Sequence, residues 1–149
     1  MFPDPEPQGP LVKLAIAGFL LAFCVALHAA GLVGISRWLT PRGTRAHVPF
    51  LRDLWGVIWI AWVLLALHLL AILIWAAAYV ALGSLPDMST AFYFSAITYT
   101  TVGYGDVVLT GEWRTLSGAE ALIGIFLMGL TTAFFFTFLG QALQHRLKH

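Results

Sequence analysis

Charge is what this chain has least of. Only 10% of its 149 residues are Asp, Glu, Lys or Arg, and the balance is +1 with histidine neutral. So few basic groups cannot neutralise a run of phosphates, which argues against a general nucleic-acid binder, and a soluble domain carries about 25% charged residues. Cysteine is nearly absent as well: Cys24 stands alone inside an apolar run, which rules out an intrachain disulfide framework. The sequence offers no P-loop, metal-ligand cluster or catalytic triad, so it points neither to an enzyme nor to a resident cofactor. No segment repeats arginine at every third position, the pattern of a voltage-sensing helix. About six residues follow the last apolar run, so no nucleotide- or calcium-binding domain is expected there.

What the chain has instead is apolar length. Apolar side chains make up 60% of it and the mean hydropathy is +0.86. Residues 11–35, 54–82 and 116–143 form three runs, each longer than the ~20 residues that cross about 30 Å of hydrocarbon. They predict three transmembrane helices, the middle one long enough to tilt or to project beyond the bilayer. The first run is not read as a cleavable signal: its flank "MFPDPEPQGP" has two acids and no base, and the run is too long for an h-region.

Loop charge sets the orientation. Arg37, Arg42, Arg45 and Arg52 lie between the first two runs, and Arg146 and Lys148 follow the third. Asp87, Asp106 and Glu112 lie between the second and third, on the same side as the acidic N-terminal flank. The basic loop and the C-terminus are therefore expected in the cytoplasm and the N-terminus outside. Trp38, Trp55 and Trp75 with Tyr79 are expected in the interfacial belts.

The link 83–115 is too polar to be a span and too patterned to be a plain loop. After "GSLPD", Ser89 or Thr90 is a candidate N-cap, and "AFYFSAITYT" predicts a short helix over 90–100, about 15 Å long and half a bilayer deep. It cannot cross, so residues 101–105 must return extended to the surface they came from, leaving Asp106 at the outer mouth. Non-helical backbone at membrane depth survives only where protein buries it or water lines it, because bare carbonyls facing lipid cost several kcal/mol. The stretch is expected to line a pore.

At "TTVGYGD", residues 100–106, the sequence resembles the signature of the potassium channel pore domain. "AFYFSAITYTTVGYGD" followed by an apolar, glycine-bearing helix resembles the two-transmembrane bacterial channels along residues 54–143, with outer helix 54–82, pore helix 90–100, filter 101–105 and inner helix 116–143. Residues 1–53 add an N-terminal transmembrane helix and a basic loop, and 144–149 a short tail.

The resemblance implies an all-α membrane protein, three transmembrane helices plus a re-entrant pore helix and filter loop, assembling as a homotetramer in the cell membrane. It implies that the carbonyls of Thr101, Val102, Gly103 and Tyr104, with the Thr101 hydroxyl and with Gly105 completing the run, replace the hydration shell of K⁺. Thr100 then ends the pore helix. K⁺ is the transported ion, no other cofactor is implied, and the partners are the bilayer and further copies of the chain.

Gly103 and Gly105 have no Cβ, so both can take the positive φ that aims successive carbonyls to one side. Gly129 matches the family's hinge glycine, with close helix packing as its other reading, and the same face brings Leu130, Ala133, Thr137 and Gln141 to the cavity. Two departures stand out. Ile97 occupies the place where some members carry a carboxylate that partners the filter aspartate, and Phe92, Tyr93 and Phe94 stand where many relatives have tryptophans.

Phe134, Phe135, Phe136 and Phe138 are expected in subunit packing and lipid-facing surface. His28 and His68 are expected to be hydrogen-bonded across a helix interface, with pH sensing as the sharper reading. Glu120 is expected behind the short helix, tied to backbone or hydroxyls, with Arg114 able to offset it. The competing functional readings are a membrane subunit of a K⁺ uptake system and a nonconducting or regulatory homologue. Uptake subunits resemble four fused, degenerate copies, whereas this chain has one short copy with an intact filter.

Overall fold

The computed structural model of the chain describes residues 9–39, 50–109 and 111–147, with side-chain surroundings for 9, 11–38, 54–109, 111 and 113–140. The acidic flank before residue 9, Arg42, Arg45 and Lys148 lie outside the described residues; the side chains of Arg52, Glu112, Gln141 and Arg146 lie outside the described surroundings. The described residues are all-helical. They form α1 (Pro10–Leu39), α2 (Phe50–Ala81), the short α3 (Met88–Tyr99) and α4 (Arg114–Leu147), with one 3-10 turn at Gly111–Trp113 ahead of α4.

Three of these helices are long and apolar enough to cross a membrane: Leu11–Trp38, Leu54–Ala81 and Arg114–Gly140. Helix is the natural state for such runs, because it pairs backbone N–H and C=O groups within one segment and leaves few for lipid to strand. α2 stops at Gly83, whose φ of 65° takes the left-handed C-cap position. Gly83 N–H donates to Val80 O and Ser84 N–H to Tyr79 O, both at 3.0 Å, the paired closure of a Schellman cap. The chain therefore turns sharply and enters α3 five residues on.

α3 lies against both α2 and α4, and the core forms where they meet. Trp75 and Tyr79 of α2, Phe94 and Tyr99 of α3, and Leu116, Ile123 and Leu127 of α4 are buried together, with Leu20 and Cys24 closing the cluster from α1. Trp75 and Tyr79 thus correct the expectation of an interfacial belt: both are 0% exposed, because α3 folds onto this end of α2 and meets it with protein. Trp38 and Trp55 are exposed, as a belt requires.

A second cluster joins Leu32 and Ile35 of α1 to Ile60 and Leu64 of α2, and Phe134, Phe135 and Phe138 of α4 pack on it. Those three rings serve packing within one chain, and of the aromatic run only Phe136 is exposed. α1 packs against both α2 and α4. Gly31 faces α2, where a Cβ would come 2.5 Å from Leu67 Cδ1, whereas Gly34 faces open space.

Candidate functional site

α3 begins two residues earlier than the sequence suggests, and its N-cap is Asp87 rather than Ser89 or Thr90. The Asp87 carboxylate accepts from the Thr90 N–H at 2.9 Å and from the Thr90 hydroxyl at 2.8 Å. These hydrogen bonds favour the charged form and hold its pKa below the ordinary carboxylate value. The helix spans 12 residues, about 18 Å. Burial of Ala91, Phe94, Ser95, Ile97 and Tyr99 fixes which face it turns to α2 and α4. The Phe94 ring meets Tyr79 edge to face at 5.3 Å.

Past Thr100, the C-cap, the chain reverses along the helix it has just left. Thr101 N–H donates to Thr98 O at 2.9 Å and Gly103 N–H to Ile97 O at 3.0 Å. Three residues later the Tyr93 hydroxyl donates to Asp106 Oδ2 at 2.7 Å. Pairing 103 with 97 and 106 with 93 describes a segment running back beside α3 toward the end where α3 began. Asp106 thereby has a partner despite the apolar Ile97, and it comes from one turn earlier on the helix. This bond is the first cause holding the Asp106 carboxyl below its ordinary pKa.

Within that segment the backbone alternates. Thr101, Gly103 and Gly105 have φ of 62°, 52° and 79°, and among the described residues Thr101 is the one non-glycine with positive φ. In an ordinary extended chain successive carbonyls point to opposite sides. Reversing the sign of φ at every second residue undoes that alternation, so carbonyls can line one side. The glycines take the left-handed conformation without penalty, whereas Thr101 strains against its Cβ at about 1–2 kcal/mol. A threonine held there, where glycine would be easier, points to a role for its hydroxyl. The sequence shows the two glycines; the strain at Thr101 is visible only in the fold.

All seven residues from 100 to 106 are exposed. Val102 is 52% exposed and Tyr104 73%, so neither is braced by its own chain.

Behind the segment, two polar clusters tie the helices together. Glu120 is fully buried, its Oε2 accepting from the Tyr79 hydroxyl at 2.7 Å and its Oε1 in contact with Ser95 Oγ. The expected tie to hydroxyls behind the short helix is present, while Arg114 is exposed and plays no part in it. In the second cluster, His68 Nδ1 pairs with the Tyr99 hydroxyl at 2.8 Å and His68 Nε2 with Thr131 Oγ1 at 3.0 Å. His28 Nε2 reaches the same Thr131 Oγ1 at 2.7 Å. One threonine hydroxyl can donate to one imidazole and accept from the other, so the chain Tyr99–His68–Thr131–His28 is complete with both rings neutral. It links α1 to the end of α3 from which the doubled-back segment departs.

On α4 the exposed face runs through Leu122, Ile125, Phe126, Gly129, Thr132, Ala133, Phe136 and Thr137. Gly129, the expected hinge, lies on it with Ala133 and Thr137 of the expected cavity set, the Thr137 hydroxyl turned to Ala133 O at 2.8 Å. Leu130 does not: it is half-buried and packs on both core clusters. Gly129 has no atom within 4 Å of an added Cβ, so close packing within the chain does not explain it. The close-packing glycine is Gly124, where the backbone carbonyl of Tyr99 occupies the place a Cβ would take.

Three membrane-spanning helices and a short fourth helix followed by a doubled-back segment define a multi-pass membrane protein of pore architecture. A family model described as "Ion channel" matches residues 67–141, from the middle of α2 through α3 and the doubled-back segment into α4. It covers half of the chain, which belongs to this ion channel family; α1 lies outside the match. No solved structure matches the chain.

Proposed function

We propose that this chain is the subunit of a K⁺-selective channel in which four copies surround one axis. Carbonyls of Thr101, Val102, Gly103 and Tyr104, with the Thr101 hydroxyl, take the place of water around K⁺, and Asp106 stands at the outer mouth. The observation that carries this reading is the alternating positive φ at Thr101, Gly103 and Gly105 in a segment that doubles back beside α3. One chain supplies too few oxygens to surround an ion, and the exposure of Val102 and Tyr104 is what a filter completed by neighbouring copies would show in a single chain. The C-terminal end of α3 adds a partial negative charge that favours a cation nearby. Gly129, on the exposed face of α4, is the proposed hinge, and Ala133 and Thr137 line the cavity beyond it.

The test is flux from purified protein in liposomes under opposed K⁺ and Na⁺ gradients. K⁺ and Rb⁺ pass far better than Na⁺, and external Ba²⁺ blocks. A reversal potential that tracks the Na⁺ gradient overturns the reading. For orientation we propose the N-terminus outside the cell membrane and the C-terminus in the cytoplasm, supported by Arg37 in the last turn of α1 and the arginines that follow it in sequence. An N-terminal tag is then reachable on intact cells and a C-terminal tag is not.

A further inference from the structure

Glu120 is a fully buried carboxyl whose hydrogen-bond partners among the described residues are the hydroxyls of Tyr79 and Ser95. It sits six residues into α4 from Arg114, about 9 Å along the axis. The titratable groups facing it are Tyr79 on α2, Tyr99 on α3 and Cys24 on α1, none of which carries positive charge. Arg114, on its own helix, is exposed. An ionised carboxylate in such a place is heavily penalised.

Hydrogen counting shows which arrangement gives every group a partner. Ser95 has one hydroxyl hydrogen and two neighbours that want it. Its Oγ lies 2.9 Å from the carbonyl oxygen of Ile72, which can only accept, and it also touches Glu120 Oε1. A single hydrogen makes one well-aligned bond, and shared between two acceptors it serves each poorly. If Ser95 donated to a carboxylate, its oxygen and the Ile72 carbonyl would face each other as bare lone pairs in a buried site. If it donates to Ile72 O, the other contact needs a hydrogen on Glu120.

We propose that Glu120 is held as a neutral carboxylic acid that donates from Oε1 to Ser95 Oγ, so that Ser95 donates onward to Ile72 O and α3 is pinned to α2 and α4 behind the filter. Tyr79 completes the set by donating to Oε2. Every hydrogen in this chain has one acceptor. Ser95 lies five residues before the C-cap Thr100, so the pin acts on the helix that carries the filter, and Glu120 is a positioning residue for it. The protonation state stands on the hydrogen bonds alone; the effect on conduction rests on the K⁺-filter reading.

Infrared difference spectroscopy of the purified full chain at neutral pH tests the proton directly. Wild type minus Glu120→Gln shows the C=O stretch of a hydrogen-bonded carboxylic acid, and Ser95→Ala shifts that band because the acid loses its acceptor. A carboxylate signature in its place, or a band indifferent to Ser95→Ala, overturns the proposal. In liposomes Glu120→Gln keeps K⁺ flux within about twofold, since the amide N–H donates where the acid did and its carbonyl accepts from Tyr79. Glu120→Ala strands the Tyr79 hydroxyl and lowers flux about tenfold or more. Equal loss in the two variants removes the positioning role, even if the alanine chain fails to assemble. A wild type that passes no K⁺ defeats the filter reading and leaves the infrared result to decide the protonation state.

Discussion

Along α3, Ala91, Phe94, Ser95, Ile97 and Tyr99 are buried by other helices of the same chain, while every residue from 100 to 106 is exposed. The two stretches are continuous in sequence and opposite in support. The helix is held by a core, a capping carboxylate and the Glu120 pin, all from one chain. The segment after it has three backbone bonds back to α3 from Thr100, Thr101 and Gly103, side-chain ties at Thr100 and Asp106, and three positive φ angles in five residues. The holder is complete within one chain, and the held segment is left open by it. In the proposed tetramer, Val102 and Tyr104 gain their bracing from other copies.

The largest expected effect breaks the open segment without touching the holder. At Gly103 an added Cβ meets no atom within 4 Å, so Gly103→Ala has no clash to relieve; its cost is the φ of 52° alone. Left-handed backbone costs a residue with a Cβ about 1–2 kcal/mol, incurred in each copy. Selective K⁺ flux is lost, while helix content by circular dichroism and assembly on a sizing column stay unchanged. Retained selectivity would show that these residues are not the filter.

Next in size is a substitution that breaks the holder and spares the segment. Gly124→Ala puts a Cβ where the Tyr99 carbonyl lies, and neither backbone can yield without separating α4 from α3. Overpacking of this kind costs about 1–3 kcal/mol. The thermal unfolding midpoint in detergent drops and the yield of assembled protein falls. A midpoint equal to that of wild type would mean that α3 and α4 do not approach as closely as the fold requires.

The three long helices and the channel family were legible in the sequence because apolar length and the glycine-bearing polar run between the last two spans are local signals. Helix ends were read to within a few residues: α3 starts at Met88 instead of 90 and α4 at Arg114 instead of 116. What was hidden is whatever depends on a partner distant in sequence. Trp75 and Tyr79 read as belt residues because nothing local announces that α3 folds over them. Gly124 looks like any helical glycine until Tyr99 O is placed against it. The two histidines and Thr131 became one cluster only when α1 met α4.

Gly129 sharpens the comparison from the other side. It lies on the exposed face of α4 with open space around it, so Gly129→Ala removes no contact and does not lower stability. The replacement favours straight helix by about 1 kcal/mol, which stiffens the proposed hinge. Single-channel recording then shows a shifted open probability at unchanged K⁺ selectivity. An unchanged open probability places the gate at the filter itself.

The smallest effect is expected where helix and segment are tied by one exposed bond. The Tyr93 hydroxyl stabilises the ionised Asp106, which lowers the Asp106 pKa below its ordinary value. A depressed carboxyl pKa means that the tie is fully formed above the ordinary carboxylate range and is lost only as pH falls through the lowered value. Tyr93→Phe removes the donor and returns Asp106 toward its ordinary pKa. Acid-induced loss of current then sets in at higher pH in the variant than in wild type, while currents at neutral pH change little because other contacts of α3 are untouched. Recording current against external pH in both proteins decides it: superimposable acid limbs would mean that the Tyr93–Asp106 bond does not hold the mouth of the filter.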